Sequence, residues 1–115
     1  MIERIDTICL MVSNVEESST WYQEKLGFKE AFKDEGYRVL SIGNSGVPLT
    51  IEQGSPKTSS VHRAYPIFFA KDIIHTYEKL KQHGVRVSEL QKDNTNTFFD
   101  IYDPDDNKLQ VCFWE

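Results

Sequence analysis

The segment Phe98–Glu115 reads FFDIYDPDDNKLQVCFWE, and its residue types spell out a hairpin. An aromatic run ends at Asp103-Pro104, the chain turns through Asp105, Asp106 and Asn107, and an alternating strand is predicted from Lys108 to Trp114. Pro104 fixes its own φ and steers Asp103 away from helix, while Asp and Asn side chains bond to nearby backbone and stabilise turns. Side chains two apart on a strand share a face, so Leu109, Val111 and Phe113 form one side and Gln110, Cys112 and Trp114 the other. The first side is core. The second is apolar but carries a single amide.

Working outward, the hairpin proves to be the end of a repeated unit. Arg4–Val12 reads as a strand with Ile8, Leu10 and Val12 on one face and Thr7, Cys9 and Met11 on the other. Asn14, with Glu17 three residues on, is a helix N-cap, and Gly27 is placed to close that helix in a left-handed conformation. Short strands follow at Phe28–Phe32, Tyr37–Ile42 and Leu49–Glu52. After a polar stretch through Arg63, the same plan recurs. It runs as a strand at Tyr65–Ala70, an N-cap at Asp72, a helix with Ile73, Tyr77 and Leu80 on one face, a stop at Gly84, and strands at Val85–Leu90, Thr97–Tyr102 and Lys108–Trp114. Val12 with Ala70, Asn14 with Asp72 and Glu52 with Gln110 are each 58 residues apart, and Gly27 with Gly84 is 57 apart. An internal repeat of this kind means two copies of one supersecondary unit.

The pieces Leu10-Met11-Val12, Asn14, Trp21-Tyr22 and Leu26-Gly27-Phe28, with Asp72, Gly84-Val85 and Asp103-Pro104-Asp105-Asp106-Asn107-Lys108, occur in an order and spacing that resembles the vicinal oxygen chelate superfamily. That group contains glyoxalase, the bleomycin resistance proteins and the extradiol dioxygenases. The resemblance implies an α+β fold of two βαβββ modules in tandem, forming a cup-shaped curved mixed sheet within a single domain over residues 1–115. Module one covers about 1–53, a linker about 54–63 and module two about 64–115. It also implies a homodimer. One fold hosts many chemistries, so the reaction has to be argued from the site.

Metal-dependent relatives resemble one another in placing a His, Glu or Gln on the first and last strands of each module. Carried onto this sequence, those positions are Thr7 and Glu52 in module one and Tyr65 and Gln110 in module two; Glu52 alternatively registers with its same-face neighbour Thr50. A catalytic divalent ion wants three or four imidazole or carboxylate ligands with a position left open. The set present is therefore not expected to bind a metal. Of the histidines, His75 and His83 fall on the second helix and read as surface residues, while His62 sits in the linker, from which it can fold over the cup or reach a partner subunit.

Strand parity gives the lining of the cup. With Leu10, Val12, Ile51, Val111 and Phe113 facing the helices, the cup side holds Thr7, Cys9, Met11, Thr50, Glu52, Tyr65, Ile67, Phe69, Gln110, Cys112 and Trp114. Tyr65, Phe69 and Trp114 supply stacking surface, and Glu52 and Gln110 fix orientation, a lining suited to a small aromatic or cationic compound. Glu52 is the single candidate general base, on condition that an apolar surrounding desolvates it. Cys9 and Cys112 have no histidine in register to activate them and read as buried, inert thiols. The alternative is that these side chains pack against one another or against a second subunit.

Composition excludes several classes. The 115 residues carry 18 acidic against 13 basic side chains, a net charge of −5 with no Lys/Arg cluster, which argues against a nucleic-acid surface. No apolar run is long enough to span a bilayer, and no basic leader precedes an apolar segment, so a cytoplasmic protein without a membrane partner is expected. Three readings remain: a metal-free binding protein, a metal-dependent lyase or dioxygenase with an altered site, and a structural or regulatory dimer domain with a closed cup.

Overall fold

The structure, a computed structural model, describes residues 1–55 and 64–115. His62 and most of the expected linker lie outside them. The chain forms two compact units, Met1–Lys57 and Thr58–Glu115. Unit one holds β1 (Ile8–Val12), α1 (Val15–Leu26), β2 (Lys29–Lys33), β3 (Tyr37–Ser41) and β4 (Leu49–Gln53). Unit two holds β5 (Ile67–Phe69), α2 (Ile73–Gln82), β6 (Arg86–Val87), β7 (Gln91–Lys92), β8 (Asn96–Tyr102) and β9 (Lys108–Trp114). Among the described residues, no helix is long and apolar enough to cross a membrane.

Each unit builds one mixed sheet with its helix on one face. The first sheet runs β1-β4-β3-β2 and the second β5-β9-β8-β6, with β7 also pairing with β8. The first strand of each unit lies parallel to the last, and the remaining pairs are antiparallel. A parallel pair needs a long crossover, which the helix supplies. The helix ends follow from sequence: Asn14 accepts from Glu17 N at 3.0 Å and Asp72 from His75 N at 3.2 Å, satisfying amides that the helix itself leaves open. Gly27, at φ 75°, closes α1, donating its N–H to Gln23 O. In unit one Val12, Val15, Tyr22, Phe28, Leu40, Leu49 and Ile51 are buried between helix and sheet; in unit two it is Ile73, Leu80, Val85, Phe99, Ile101, Leu109 and Val111. A fully buried side chain of this size contributes about 1.5–3 kcal/mol.

The turn before β9 is built on Asp103, which is buried. Its Oδ1 accepts from Asp105 N and Asn107 N, both at 2.9 Å, and its Oδ2 accepts from Asn107 Nδ2 at 2.9 Å. Asp106 takes the positive φ, 62°, that an Asp tolerates better than most side chains.

The structure departs from the sequence expectations in three places. The first strand begins at Ile8, not Arg4, because residues 1–6 are exposed and have no ladder partner. The strand expected over Tyr65–Ala70 is confined to Ile67–Phe69. The strand expected over Val85–Leu90 is broken into β6 and β7. Val87 pairs with Ile101 and Gln91 with Phe98, so four steps on this strand span three on β8. At the break, Ser88 Oγ accepts from Asp100 N at 2.8 Å, where a ladder carbonyl would otherwise stand. Unit one carries the same extra residue, with Glu30 opposite Leu40 and Phe32 opposite Val39, which leaves Ala31 as a bulge.

Candidate functional site

The face of each sheet turned away from its helix is the candidate site. In unit one it carries Thr7, Cys9 and Met11 from the first strand and its approach, and Thr50 and Glu52 from β4. The register adds Val39 and Tyr37 on β3, opposite Thr50 and Glu52, and the bulge adds Phe32, opposite Val39. Phe32 and Tyr37 rings lie 5.9 Å apart. Sequence reading missed these three. Tyr37 and Val39 follow from cross-strand pairing, whereas Phe32 reaches this face only through the bulge. Gly54 lies against the Met11 side chain, which would have to shift to admit a Cβ there.

In unit two the face carries Tyr65, Ile67, Phe69, Gln110, Cys112 and Trp114, with Ile67, Phe69 and Trp114 more than half exposed. The neighbouring strand adds Asn96, Phe98, Asp100 and Tyr102, which sequence reading also missed. Asp100 ties this surface together. Its Oδ1 accepts from Gln110 Nε2 at 3.1 Å, and its Oδ2 lies 3.7 Å from Lys108 Nζ, which in turn sits 4.2 Å over the Tyr65 ring. A depression of about 570 Å³ opens beside it, with Ile67, Phe98, Cys112 and Trp114 among its lining.

Strand register corrects the alignment of the two halves. Helix caps make Met11 the counterpart of Phe69 and Cys9 the counterpart of Ile67. Met11 pairs with Glu52 and Phe69 with Cys112, while Cys9 pairs with Thr50 and Ile67 with Gln110. The counterpart of Gln110 is therefore Thr50, and Glu52 corresponds to Cys112. The last strands are two residues out of phase with the helix caps, which a constant spacing of 58 conceals. Val39 likewise corresponds to Asp100 and Arg38 to Phe99, their neighbours across the ladder being matched.

This register fixes which side chains stand at the four positions. The four first-strand and last-strand positions are Thr7, Thr50, Tyr65 and Gln110: three hydroxyls and an amide. Thr7 Oγ1 and Thr50 Oγ1 are 2.7 Å apart and bonded to each other, and Thr7 also donates to Pro48 O at 3.0 Å. Among the described residues, no three His, Cys, Asp or Glu side chains come together as a metal cluster. The donor set does not fit a catalytic Zn²⁺, Mn²⁺ or Fe²⁺ ion.

The other candidate groups lie apart from these positions. Glu52 is exposed, and so are His75 on α2 and His83 at its C-cap, the helix covering the opposite face of the sheet. Contrary to expectation the thiols are not buried: Cys9 is exposed and Cys112 half-buried. Partial burial and then the Glu52 carboxylate raise the pKa of Cys9, and partial burial raises that of Cys112. Both therefore carry less thiolate at neutral pH than an ordinary cysteine.

The model of the Glyoxalase/Bleomycin resistance protein/Dioxygenase superfamily matches residues 4–111. The chain belongs to that superfamily. Among relatives of this superfamily member is YetH of Bacillus subtilis strain 168, which is 27% identical over 114 residues, 93% of this chain and 95% of YetH. TnmS3, an antibiotic binding protein from Streptomyces sp. CB03234, superposes with a TM-score of 0.86 at 17% identity, covering 99% of this chain and 98% of TnmS3. The fosfomycin resistance protein FosX of Listeria monocytogenes, in complex with Mn(II) and sulfate, superposes with a TM-score of 0.82 at 16% identity, covering 100% of this chain and 93% of FosX. At such identities the two structures establish the tandem βαβββ fold and leave the chemistry to the residues above.

Proposed function

We propose that this protein is a binding member of the superfamily, holding a small aromatic or cationic organic compound on the open face of a sheet without a metal. The observation that carries this reading is the hydroxyl pair Thr7–Thr50, bonded at 2.7 Å where a metal-dependent relative would present ligands. The exposed Ile67, Phe69 and Trp114 support it, because large apolar side chains on a concave or lined surface gain from a planar ligand. TnmS3 offers a precedent for antibiotic binding on this fold.

A second reading draws on Asp100, a carboxylate bonded to Gln110 and so adjacent to one of the four positions. It gives a hard cation one oxygen donor and would suit an altered metal enzyme of the kind that the FosX–Mn(II) complex brings to mind. Thermal unfolding of chelator-treated protein, with nickel, zinc, manganese or ferrous iron added in turn, separates the two. A specific ion at a hundred times its Kd would raise Tm by on the order of 10 °C. The binding reading expects no shift beyond about 1 °C. A saturable rise with one ion, abolished in Asp100→Asn or Glu52→Gln, would replace it with the metal reading.

A further inference from the structure

The depression on the open face of unit two combines aromatic surface with charge of one sign among the described residues. Its lining sets Ile67, Phe98 and Trp114 beside polar groups such as Gln110 and the two carboxylates Asp93 and Glu115, and among the described residues no Lys, Arg or His contributes to it. Of the described cations on this face, Lys108 is engaged by Asp100 at 3.7 Å and by the Tyr65 ring at 4.2 Å, and Arg86 by Asp106 at 3.0 Å and by the Tyr102 ring at 4.3 Å. We infer that this depression selects an organic cation, seating a planar ring on Phe98 and Trp114 and its positive charge against Asp93 and Glu115. The inference rests on the binding reading above and decides between its two ligand classes.

The geometry around Asp93 favours this role. Its Oδ1 accepts from Asn96 N at 2.7 Å, Thr95 N at 2.9 Å and Thr95 Oγ1 at 3.4 Å. These bonds all end on one oxygen, so Oδ2 is the one a ligand would meet. The same backbone donors, Thr95 first and then Asn96, lower the pKa of Asp93, so the charge persists in mildly acidic solution. The loop thus fixes an ionised carboxylate in advance, and little ordering is left for the ligand to bring about. A cation gains there twice, from the carboxylates and from the ring faces, whereas an anion meets repulsion and a neutral ring has only stacking.

Equilibrium dialysis of the full chain against N-methylacridinium and against acridine, in mildly alkaline buffer where acridine is uncharged, compares one ring system with and without the charge. The cation is expected to bind about tenfold more tightly, and raising the salt should narrow the gap. In Asp93→Asn, which keeps an Oδ1 acceptor for Thr95 and Asn96, the gap should shrink to about threefold or less. Equal affinity for the two probes, or a gap unchanged in Asp93→Asn, would overturn the cation inference and leave an aromatic-binding protein. Binding of neither probe would overturn the inference together with the binding reading beneath it.

Discussion

Unit one and unit two place charge on opposite faces of the same strand. In unit one Arg38 points beneath the helix and is buried, with Val39 beside it on the open face; in unit two the counterparts are Phe99 beneath the helix and Asp100 in the open. Arg38 is not left bare. It pairs with Glu30 at 3.5 Å and donates to the carbonyls of Asp34 and Tyr37, while Glu30 accepts from the Ser19 hydroxyl of α1 at 2.8 Å. Phe99 is closed over by Tyr77, edge-on at 4.9 Å. One unit thus clamps its helix with polar bonds and keeps its open face poor in charge. The other sets the Tyr77–Phe99 pair at the corresponding place under its helix and carries its charge on the open face. The repeat preserves caps, crossover and bulge, and the side chains within that frame are free to exchange roles.

Three experiments probe the comparison. The largest effect is expected from Arg38→Ala, which leaves the Glu30 carboxylate half-buried without its cation. A loss of about 3 kcal/mol in urea unfolding is expected. Importing the counterparts from unit two, Arg38→Phe with Glu30→Val, should recover at least about half of that loss, because a buried ion pair is often replaceable by well-packed apolar groups. A double variant as unstable as Arg38→Ala would mean that the two helix–sheet interfaces are not interchangeable designs. A smaller effect, about 1 kcal/mol each, is expected from Asn14→Ala and Asp72→Ala, since each removes one cap bond. Near-equal losses sharpen the equivalence of the two helices, and a cap that costs nothing breaks it.

The smallest effect concerns the thiols. Glu52 lies near Cys9, whereas burial alone raises the pKa of Cys112. A raised pKa means less thiolate at a given pH. Removing the carboxylate lowers the pKa of Cys9 toward its ordinary value and increases the reactive fraction. Glu52→Gln should therefore speed alkylation of Cys9 by iodoacetamide about twofold near neutral pH and leave Cys112 unchanged, as read by mass spectrometry of the two peptides. A slower Cys9, or a matching change at Cys112, would contradict the difference between the two faces.

Much of this fold is written in local chemistry. The caps at Asn14 and Asp72, the stop at Gly27, the Asp103 turn and the span of β9 follow from residue types that satisfy nearby backbone groups. The candidate site is less legible. Nothing in YRVLS says which of Arg38 and Val39 lies under the helix until β3 is paired with β4, and a buried Arg runs against ordinary preference. Asp100 is equally silent in the sequence, because its meaning comes from Gln110 and Lys108 across the ladder. The equation of Glu52 with Gln110 came from counting along the chain, whereas correspondence is set by pairing across it.

The bulges give that last point a mechanical form. Side-chain alternation along a strand works as a reading frame with a period of two, and a bulge is a frameshift in it. Upstream of Ala31, Glu30 is read to the helix side; downstream, Phe32 is read to the open side, although an unbroken frame would put the two together. In unit two the break around Ser88 does the same to Gln91, which without it would share the face of Val87. Each unit therefore delivers a side chain to its open surface by inserting a residue, with no change in the identity of the residue delivered.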